Sequence, residues 1–269
     1  MPRAYLDYTT GKQSLKQLRS KYGKSVSTIR KYFEKHSPVT GEVNTPNHPI
    51  VVVLDAFFWS RSSGVLVARA NKKNLIWRDI KSEKMEHYEA LLNDLKVLDI
   101  QPVAFVIDGR RGVRQLLLKM FPRIPVQLCQ FHAVQTVTKY LTKKPKLEAG
   151  KQLRKITLDL KHCGESRFAR KLKKWHRRWC NFLNERTLDD SSRGWHYTHK
   201  RLRSAYFSLQ RNLPWLFTCR KHPKLNILNT TNSCDGYFAH LKQKVKLHRG
   251  LRPHRRKKMA DYFLENGVT

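Results

Sequence analysis

The sequence predicts an α/β protein: a mixed five-stranded sheet, a helical insertion before its last helical segment, and a small helical unit ahead of it. Three observations carry that prediction. Short apolar runs closed by an aspartate occur at Val51-Val52-Val53-Leu54-Asp55 and at Val103-Ala104-Phe105-Val106-Ile107-Asp108-Gly109. Runs of that length, rich in β-branched residues, read as buried strands. Residues 133–225 then lose such runs and take up helical spacing. Finally, 55 Lys+Arg against 20 Asp+Glu gives a net charge of +35.

A chain of 269 residues with 40% hydrophobic content and six Trp can bury a full core and one or two appendages. Its charge exceeds what solubility needs and calls for a polyanionic partner, nucleic acid by default. A structural RNA binder would be as basic but has little use for two strand-end aspartates. The five cysteines (129, 163, 180, 219, 234) are odd in number and contain no Cys-x-x-Cys. That argues against a disulfide framework and a self-contained zinc ribbon. No apolar run is long enough to span a bilayer and no signal peptide is recognisable. The expectation is a reducing, cytoplasmic, nucleoid-associated setting with no membrane contact.

Residues 1–36 carry nine basic and two acidic residues. Leu15, Leu18 and Tyr22 mark one helix with Ser14 as its cap, Gly23 breaks it, and Val26, Ile29, Tyr32 and Phe33 mark a second. With Arg30, Lys31 and Lys35 on that second helix, the pattern is a helix-turn-helix whose second helix would enter the major groove. Residues 37–48 contain two prolines and no apolar period, and read as a linker.

From Pro49 the pattern is α/β. Gly64–Arg69 and Asn74–Arg78 follow the first strand as a meander. Met85, Tyr88, Leu91, Leu92, Leu95 and Leu98 recur at helical spacing within 79–99, where six acids and three bases make an acidic island expected to face away from nucleic acid. After the Asp108 strand, Val113, Leu116, Leu117 and Met120 mark a short helix, and Pro125–Cys129 a fifth strand. Strand, strand, strand, helix, strand, helix, strand is the order of the ribonuclease H-like fold. There the first and fourth strands are neighbours, which would set Asp55 beside Asp108. A carboxylate at the end of a buried strand is costly unless a cation meets it. Either each Asp caps its own loop, or the two share a metal with a third acid downstream, and the metal reading is preferred.

In the insertion, Lys139 to Arg178 hold fifteen basic and three acidic residues, while Phe168, Leu172, Trp175, Trp179 and Leu183 give an apolar stripe. Such a charge excess self-repels unless phosphates neutralise it. Lys173, Lys174, Arg177 and Arg178, with Arg110 and Arg111 after Asp108, are candidate DNA contacts. Trp175 and Trp179 read as core, Ser191–Gly194 as a loop, and Trp195 as a candidate for stacking on an unpaired base. The site resumes at Asn229-Thr230-Thr231-Asn232-Ser233-Cys234-Asp235-Gly236. Asn232 can cap a helix whose third position is Asp235, with Phe238, Leu241 and Val245 as its apolar face. Asp235 is then either a cap residue or the third metal ligand. Lys242 to Lys258 hold nine basic residues and no acidic one, adding Lys242, Lys246 and Arg249 to the DNA-facing set.

Taken in order, Leu54-Asp55, Ile107-Asp108-Gly109, Cys129-Gln130-Phe131-His132, Thr230-Thr231-Asn232 three residues before an acid, Leu241-Lys242 and His248-Arg249-Gly250-Leu251 resemble a bacterial insertion-sequence transposase of the Mutator-like superfamily, over residues 50–260. The resemblance implies a ribonuclease H-like catalytic domain (49–132 and 226–269) interrupted by the basic helical insertion (133–225). It also implies Asp55, Asp108 and Asp235 as catalytic metal ligands. The implied activity is cleavage and joining of DNA at insertion-sequence ends by two-metal phosphoryl transfer. Mg2+ suits all-oxygen ligands, with Mn2+ as a substitute. The partners would be double-stranded terminal repeats and target DNA, and joining two ends implies at least a dimer. The third acid in this superfamily is usually Glu, whereas here it is Asp. The chain begins at Met1-Pro2 without the zinc ribbon some relatives carry, which reads as a naturally short form or a truncated copy. Cys-x-x-His is half of a zinc pattern, and zinc is not expected. Cys129 and His132, with Asn232, would instead support the catalytic layer, with His132 able to approach a phosphate. A structure-selective nuclease and a non-catalytic DNA binder are the rival readings.

Overall fold

The structure is a computed structural model and describes residues 2–9, 11, 13–35, 48–188, 194–248 and 250–266. The chain begins with helices α1 (Pro2–Thr9), α2 (Leu15–Tyr22) and α3 (Val26–Lys35), followed by strands β1 (Ile50–Ser60), β2 (Ser63–Ala70) and β3 (Lys73–Ile80). Helix α4 (Met85–Val97), strand β4 (Pro102–Ile107), helix α5 (Arg111–Met120) and strand β5 (Val126–Leu128) come next. Then come α6 (Gln130–Leu141), α7 (Glu148–Leu158), α8 (Glu165–Asn184), β6 (Arg186–Leu188), β7 (Trp195–Tyr197), α9 (Lys200–Leu216) and α10 (Thr218–Lys221). Helices α11 (Asn232–Leu247) and α12 (Pro253–Asn266) complete the described chain. The α/β class and the mixed five-stranded sheet stand, with strand order β3-β2-β1-β4-β5. By contacts the chain divides into two compact units, residues 1–101 with 232–269, and residues 102–231.

In the first unit, β1, β2 and β3 form an antiparallel meander. Strand β2 is buried from Gly64 to Ala70. Because side chains alternate across a strand, that burial requires cover on both faces. Helix α4 packs against β2 and β3 through an element whose Tyr88, Leu91, Leu92 and Leu95 are buried, while α11 meets β1 and α12 meets β3. Phe238 of α11 stacks on Phe57 of β1 with ring centres 5.2 Å apart. Gly64 has no alternative, since a Cβ there would lie 2.4 Å from the Phe57 carbonyl oxygen.

The amino-terminal helices differ from expectation. Two helices are expected within 1–36, and a third, α1, precedes them. The Ser14 cap is present: its Oγ accepts from Gln17 N–H at 3.3 Å, and Gln17 Oε1 accepts from Ser14 N–H at 2.7 Å. Gly23 turns the chain between α2 and α3 at φ 61°, a left-handed conformation that glycine adopts without strain. A helical unit this small cannot bury enough apolar surface by itself. Its core of Tyr8, Leu18 and Ile29 is completed by Leu251. Helix α12 adds Tyr262, edge-on to Tyr5 at 5.0 Å, and Arg255, which pairs with Glu34. The His248 ring packs on Tyr8 at 4.1 Å and hydrogen-bonds the Tyr8 carbonyl at 3.1 Å. The expected linker, 37–48, lies outside the described residues except for His48.

In the second unit β4 and β5 pair in parallel, and α6, α7, α8 and α9 pack as a helical layer. The stripe on α8 behaves as its spacing predicts: Phe168, Leu172, Trp175 and Leu183 are buried. Trp175 Nε1 donates to the Ala149 carbonyl at 3.0 Å and Trp179 Nε1 to Gln152 Oε1 at 3.0 Å, so both indoles are structural. Two buried glutamines, Gln127 and Gln130, donate to the Leu216 carbonyl at 2.9 and 2.8 Å. They satisfy an acceptor at the carboxyl end of α9, where the helix supplies no partner. The insertion is not wholly helical, because β6 and β7 form an antiparallel ribbon. The expected loop at 191–194 lies outside the described residues except for Gly194.

Candidate functional site

Asp55 does not end its strand. The ladder with β2 continues past it through Ala56↔Leu66, Phe57↔Val65 and Phe58↔Gly64, so β1 outlasts the charged residue by five positions. Phe57, Phe58 and Trp59 favour the pleated backbone that a polar residue in the middle seemed to interrupt. The Asp55 side chain is half-buried, and its Oδ1 accepts the Ala56 N–H at 2.9 Å. Asp108 does follow its strand directly. Its Oδ1 accepts the Arg110 N–H at 3.1 Å and its Oδ2 lies 3.5 Å from Arg110 Nε. Arg110, named as a DNA contact, is thus also the cation nearest this carboxylate, on the entry to α5.

Helix α11 starts at Asn232, so that residue is the first of the helix rather than its cap, a one-residue difference within the usual ambiguity of helix ends. Asp235 lies in the first turn of α11; the Asn232 and Asp235 side chains are outside the described set. Among the described residues, no group of three or more His, Cys, Asp or Glu side chains gathers to hold a metal.

The residue that joins two motifs is Thr231, one position before the expected Asn232. It is fully buried. Its N–H donates to Cys129 Sγ at 3.3 Å and its hydroxyl to the same sulfur at 3.4 Å. The hydroxyl also lies 3.3 Å from His132 Nδ1. Just before it, the Asn229 carbonyl accepts the Gln130 N–H at 2.9 Å. The Thr-Thr-Asn stretch is therefore fastened to the Cys-x-x-His stretch, at the first turn of α6, immediately before the chain enters α11. Burial pushes the Cys129 thiol up, but hydrogen bonds with His132 and Thr231 outweigh it and leave the thiol below its usual range. The available signal was local: Thr231 is the polar residue adjacent to the helix start, where a hydroxyl has backbone and side-chain partners in reach.

The basic residues fall on several surfaces. Arg30, Lys31 and Lys35 are exposed on α3, and Arg111 is exposed on α5. Lys173, Lys174, Arg177 and Arg178 are exposed on α8. Lys174 and Arg178, with Lys155 and Lys171, line a groove of about 310 Å³ floored by Ile156 and Trp175. Asp159 in that groove is held below the usual carboxylate range by its hydrogen bond from Lys171. Lys242 and Lys246 are exposed on α11, and Arg249 is outside the described residues. The Lys242–Lys258 run is not all available to DNA. Lys244 is buried with its ammonium 4.6 Å from the Phe263 ring centre. Arg255 pairs with Glu34, Lys257 with Asp79, and Lys258 donates to the Glu34 carbonyl at 2.9 Å. Trp195 lies in β7 and is 47% exposed.

No helix among the described residues is long and apolar enough to cross a membrane. Among curated proteins none matches the chain. Among solved structures, the "Drosophila P element transposase strand transfer complex" aligns with 98% of this chain and 91% of that chain, at 11% identity and a TM-score of 0.39. Likeness at that level carries no argument about fold or function. The sequence family described as Transposase, Mutator family matches residues 65–189, a span that starts in β2, takes in β6 and includes Asp108 and Cys129-x-x-His132. Over residues 65–189 the chain is thus similar to the Mutator family of transposases, the family that its sequence motifs resemble.

Proposed function

We propose that the chain is a DNA transposase that cleaves and joins DNA at the ends of an insertion sequence, on a ribonuclease H-like domain. The observation that carries this reading is the family match over 65–189 together with the Thr231 joint, which fastens Cys129-x-x-His132 to the segment leading into the Asp235 helix. Thr231 contacts both Cys129 and His132, which lie within the matched span.

Asp55, Asp108 and Asp235 are the residues that would hold divalent cations. The donor set fits a hard ion such as Mg2+, since all three offer carboxylate oxygens and none is a soft ligand. Bound there, such ions would lower the pKa of a water or a DNA 3′-hydroxyl and neutralise charge on the attacked phosphodiester. The chain's own residues do the rest. The Thr231 joint would hold the Cys129-x-x-His132 stretch to the segment that leads into α11. Arg110 orients the Asp108 carboxylate through its N–H and its guanidinium. Exposed cations on α8 and α11 hold phosphates, and α3, as the second helix of a helix-turn-helix, reads the end sequence. Joining two ends would require two copies of the chain.

The test is cleavage and strand transfer on DNA carrying the cognate ends, with binding measured in parallel. Asp55→Asn or Asp108→Asn is expected to abolish cleavage and leave DNA binding unchanged or slightly tighter, because neutralising a carboxylate removes repulsion toward phosphate. Normal Mg2+-dependent cleavage by either variant would overturn the metal assignment. Binding without cleavage in the wild type would point to a non-catalytic DNA binder, and cleavage selective for branched structure rather than ends to a nuclease.

A further inference from the structure

The β6–β7 ribbon is not absorbed by the reading above. Its cross-strand partners are Arg186↔Tyr197, Thr187↔His196 and Leu188↔Trp195. Directly opposed residues point to the same side of an antiparallel pair, as do residues two apart. One face of the ribbon therefore presents Arg186, Leu188, Trp195 and Tyr197 together. Leu188 is 80% exposed and Trp195 47% exposed, and all three residues of β6 are exposed.

The ribbon is anchored at the end where α8 enters it and α9 leaves it, while Leu188 and Trp195 are exposed. His199 stacks on Phe182 with ring centres 3.6 Å apart and pairs with Glu185 at 2.9 Å. Thr187 and Thr198 share a hydroxyl hydrogen bond of 2.8 Å, and the Thr198 N–H donates to the Glu185 carbonyl at 3.0 Å. The Arg203 guanidinium lies 3.9 Å from the Tyr197 ring centre, and Arg203 Nη1 donates to Asn184 at 2.8 Å. The Arg186 guanidinium lies 3.8 Å from the Trp195 ring centre, and Tyr197 meets Trp195 edge-on at 5.1 Å. An isolated two-stranded ribbon is marginal in water, so one that holds a Trp and a Leu outward needs these fastenings.

We propose that this face is a platform for an unpaired nucleobase at an opened DNA end. The proposal rests on the DNA-processing reading and adds to it where the opened strand goes. Trp195 supplies a half-exposed indole, Arg186 a cation placed against its ring for the phosphate of the same nucleotide, and Leu188 an apolar edge that separates stacked bases. Charge complementarity favours this occupant, because the ribbon follows α8, whose exposed side carries Lys173, Lys174, Arg177 and Arg178. A protein partner is disfavoured, because four side chains fall far short of the roughly 20–30 residues a side of a stable protein interface.

The experiment measures affinity of the full chain for two DNAs of one sequence, a fully paired duplex and one whose end is splayed and carries 2-aminopurine as the unpaired base. The wild type is expected to prefer the splayed end and to quench the 2-aminopurine. Trp195→Ala should reduce that preference by about five- to a hundredfold and abolish the quenching, as loss of one base–aromatic stack does. Trp195→Phe should restore most of both, which shows that the ribbon still folds. Equal preference and quenching in Trp195→Ala would overturn the platform. If the wild type binds both DNAs equally without quenching, the platform is wrong and the transposase reading stands. If it binds neither, both fall. If Trp195→Ala instead shifts the sedimentation of the protein without changing preference, the face joins two copies of the chain and the proposal is overturned.

Discussion

Thr231→Val is the sharpest perturbation of the proposed site, because it removes one hydroxyl and keeps the shape of a fully buried side chain. Two contacts disappear, to Cys129 Sγ at 3.4 Å and to His132 Nδ1 at 3.3 Å, while the backbone N–H of residue 231 keeps its bond to the sulfur at 3.3 Å. Both lost contacts are long and one ends on sulfur, so each is worth the lower part of the usual range, about 0.5–1 kcal/mol. His132 is only half-buried and can turn to water, which limits any further penalty. The sum is about 1–2 kcal/mol, which in a chain of this size lowers Tm by roughly 2–8 °C. Assayed well below Tm, the variant is folded, and any loss of cleavage beyond that reports position rather than stability. Strand cleavage is expected to fall at least tenfold, and Thr231→Ser, which keeps the hydroxyl, to recover most of it. The assay is single-turnover cleavage alongside thermal unfolding. A Thr231→Val protein that cleaves at the wild-type rate would refute the idea that this joint serves cleavage.

Further outcomes are expected. Asp235→Ala and Asp235→Asn should be inactive while Asp235→Glu keeps some activity. A helix cap loses about 0.5–2 kcal/mol on removal but tolerates Asn, so an active, normally melting Asp235→Asn would demote the residue to a cap. If about six to ten phosphates are neutralised, affinity for DNA should drop by roughly 10³ to 10⁵ between 50 and 200 mM salt; a flat salt response in a binding titration contradicts the phosphate role of α8 and α11. Burial holds the Asp261 carboxyl above its ordinary range despite the hydrogen bond from Trp77 and the nearby Lys257. A raised carboxyl means that the native state binds the proton more tightly, so this contribution is full below the ordinary pKa and is lost as pH climbs through the raised one. Asp261→Asn should then gain stability relative to wild type near pH 7 and lose that advantage near pH 3. Denaturant midpoints at the two pH values check it, and a constant difference refutes it.

Much of the architecture was legible because apolar runs and helical stripes report burial directly. The α8 stripe, the Ser14 cap and the strand before Asp108 all fall where spacing puts them. The misses have physical causes. Strand β1 was cut short at Asp55 because a charge breaks an apolar run, while the ladder to β2 depends on backbone groups that ignore it. Helix α1 is eight residues long, too short for a convincing period, although Ala4, Tyr5 and Tyr8 hold the spacing of a buried face. Strands β6 and β7 have three residues each, below the length at which alternation can be seen. The Arg255–Glu34 and Lys257–Asp79 pairs join residues far apart in sequence, which no local pattern of charge announces. At the site, the motifs were visible as strings, but the hydroxyl that ties two of them together becomes evident only in three dimensions.

The docking of the first three helices on α12 has a consequence for synthesis. A ribosome delivers α1, α2 and α3 well before the Leu251–Tyr262 surface, so these three helices emerge without the wall that closes their core. Residues 102–231 form a compact unit of continuous chain and can fold while the rest is still being made. Folding of the first unit must wait for the chain that bears α12. Loss of α12 by premature termination would therefore be felt at the opposite end of the polypeptide, as protease sensitivity of residues 2–35.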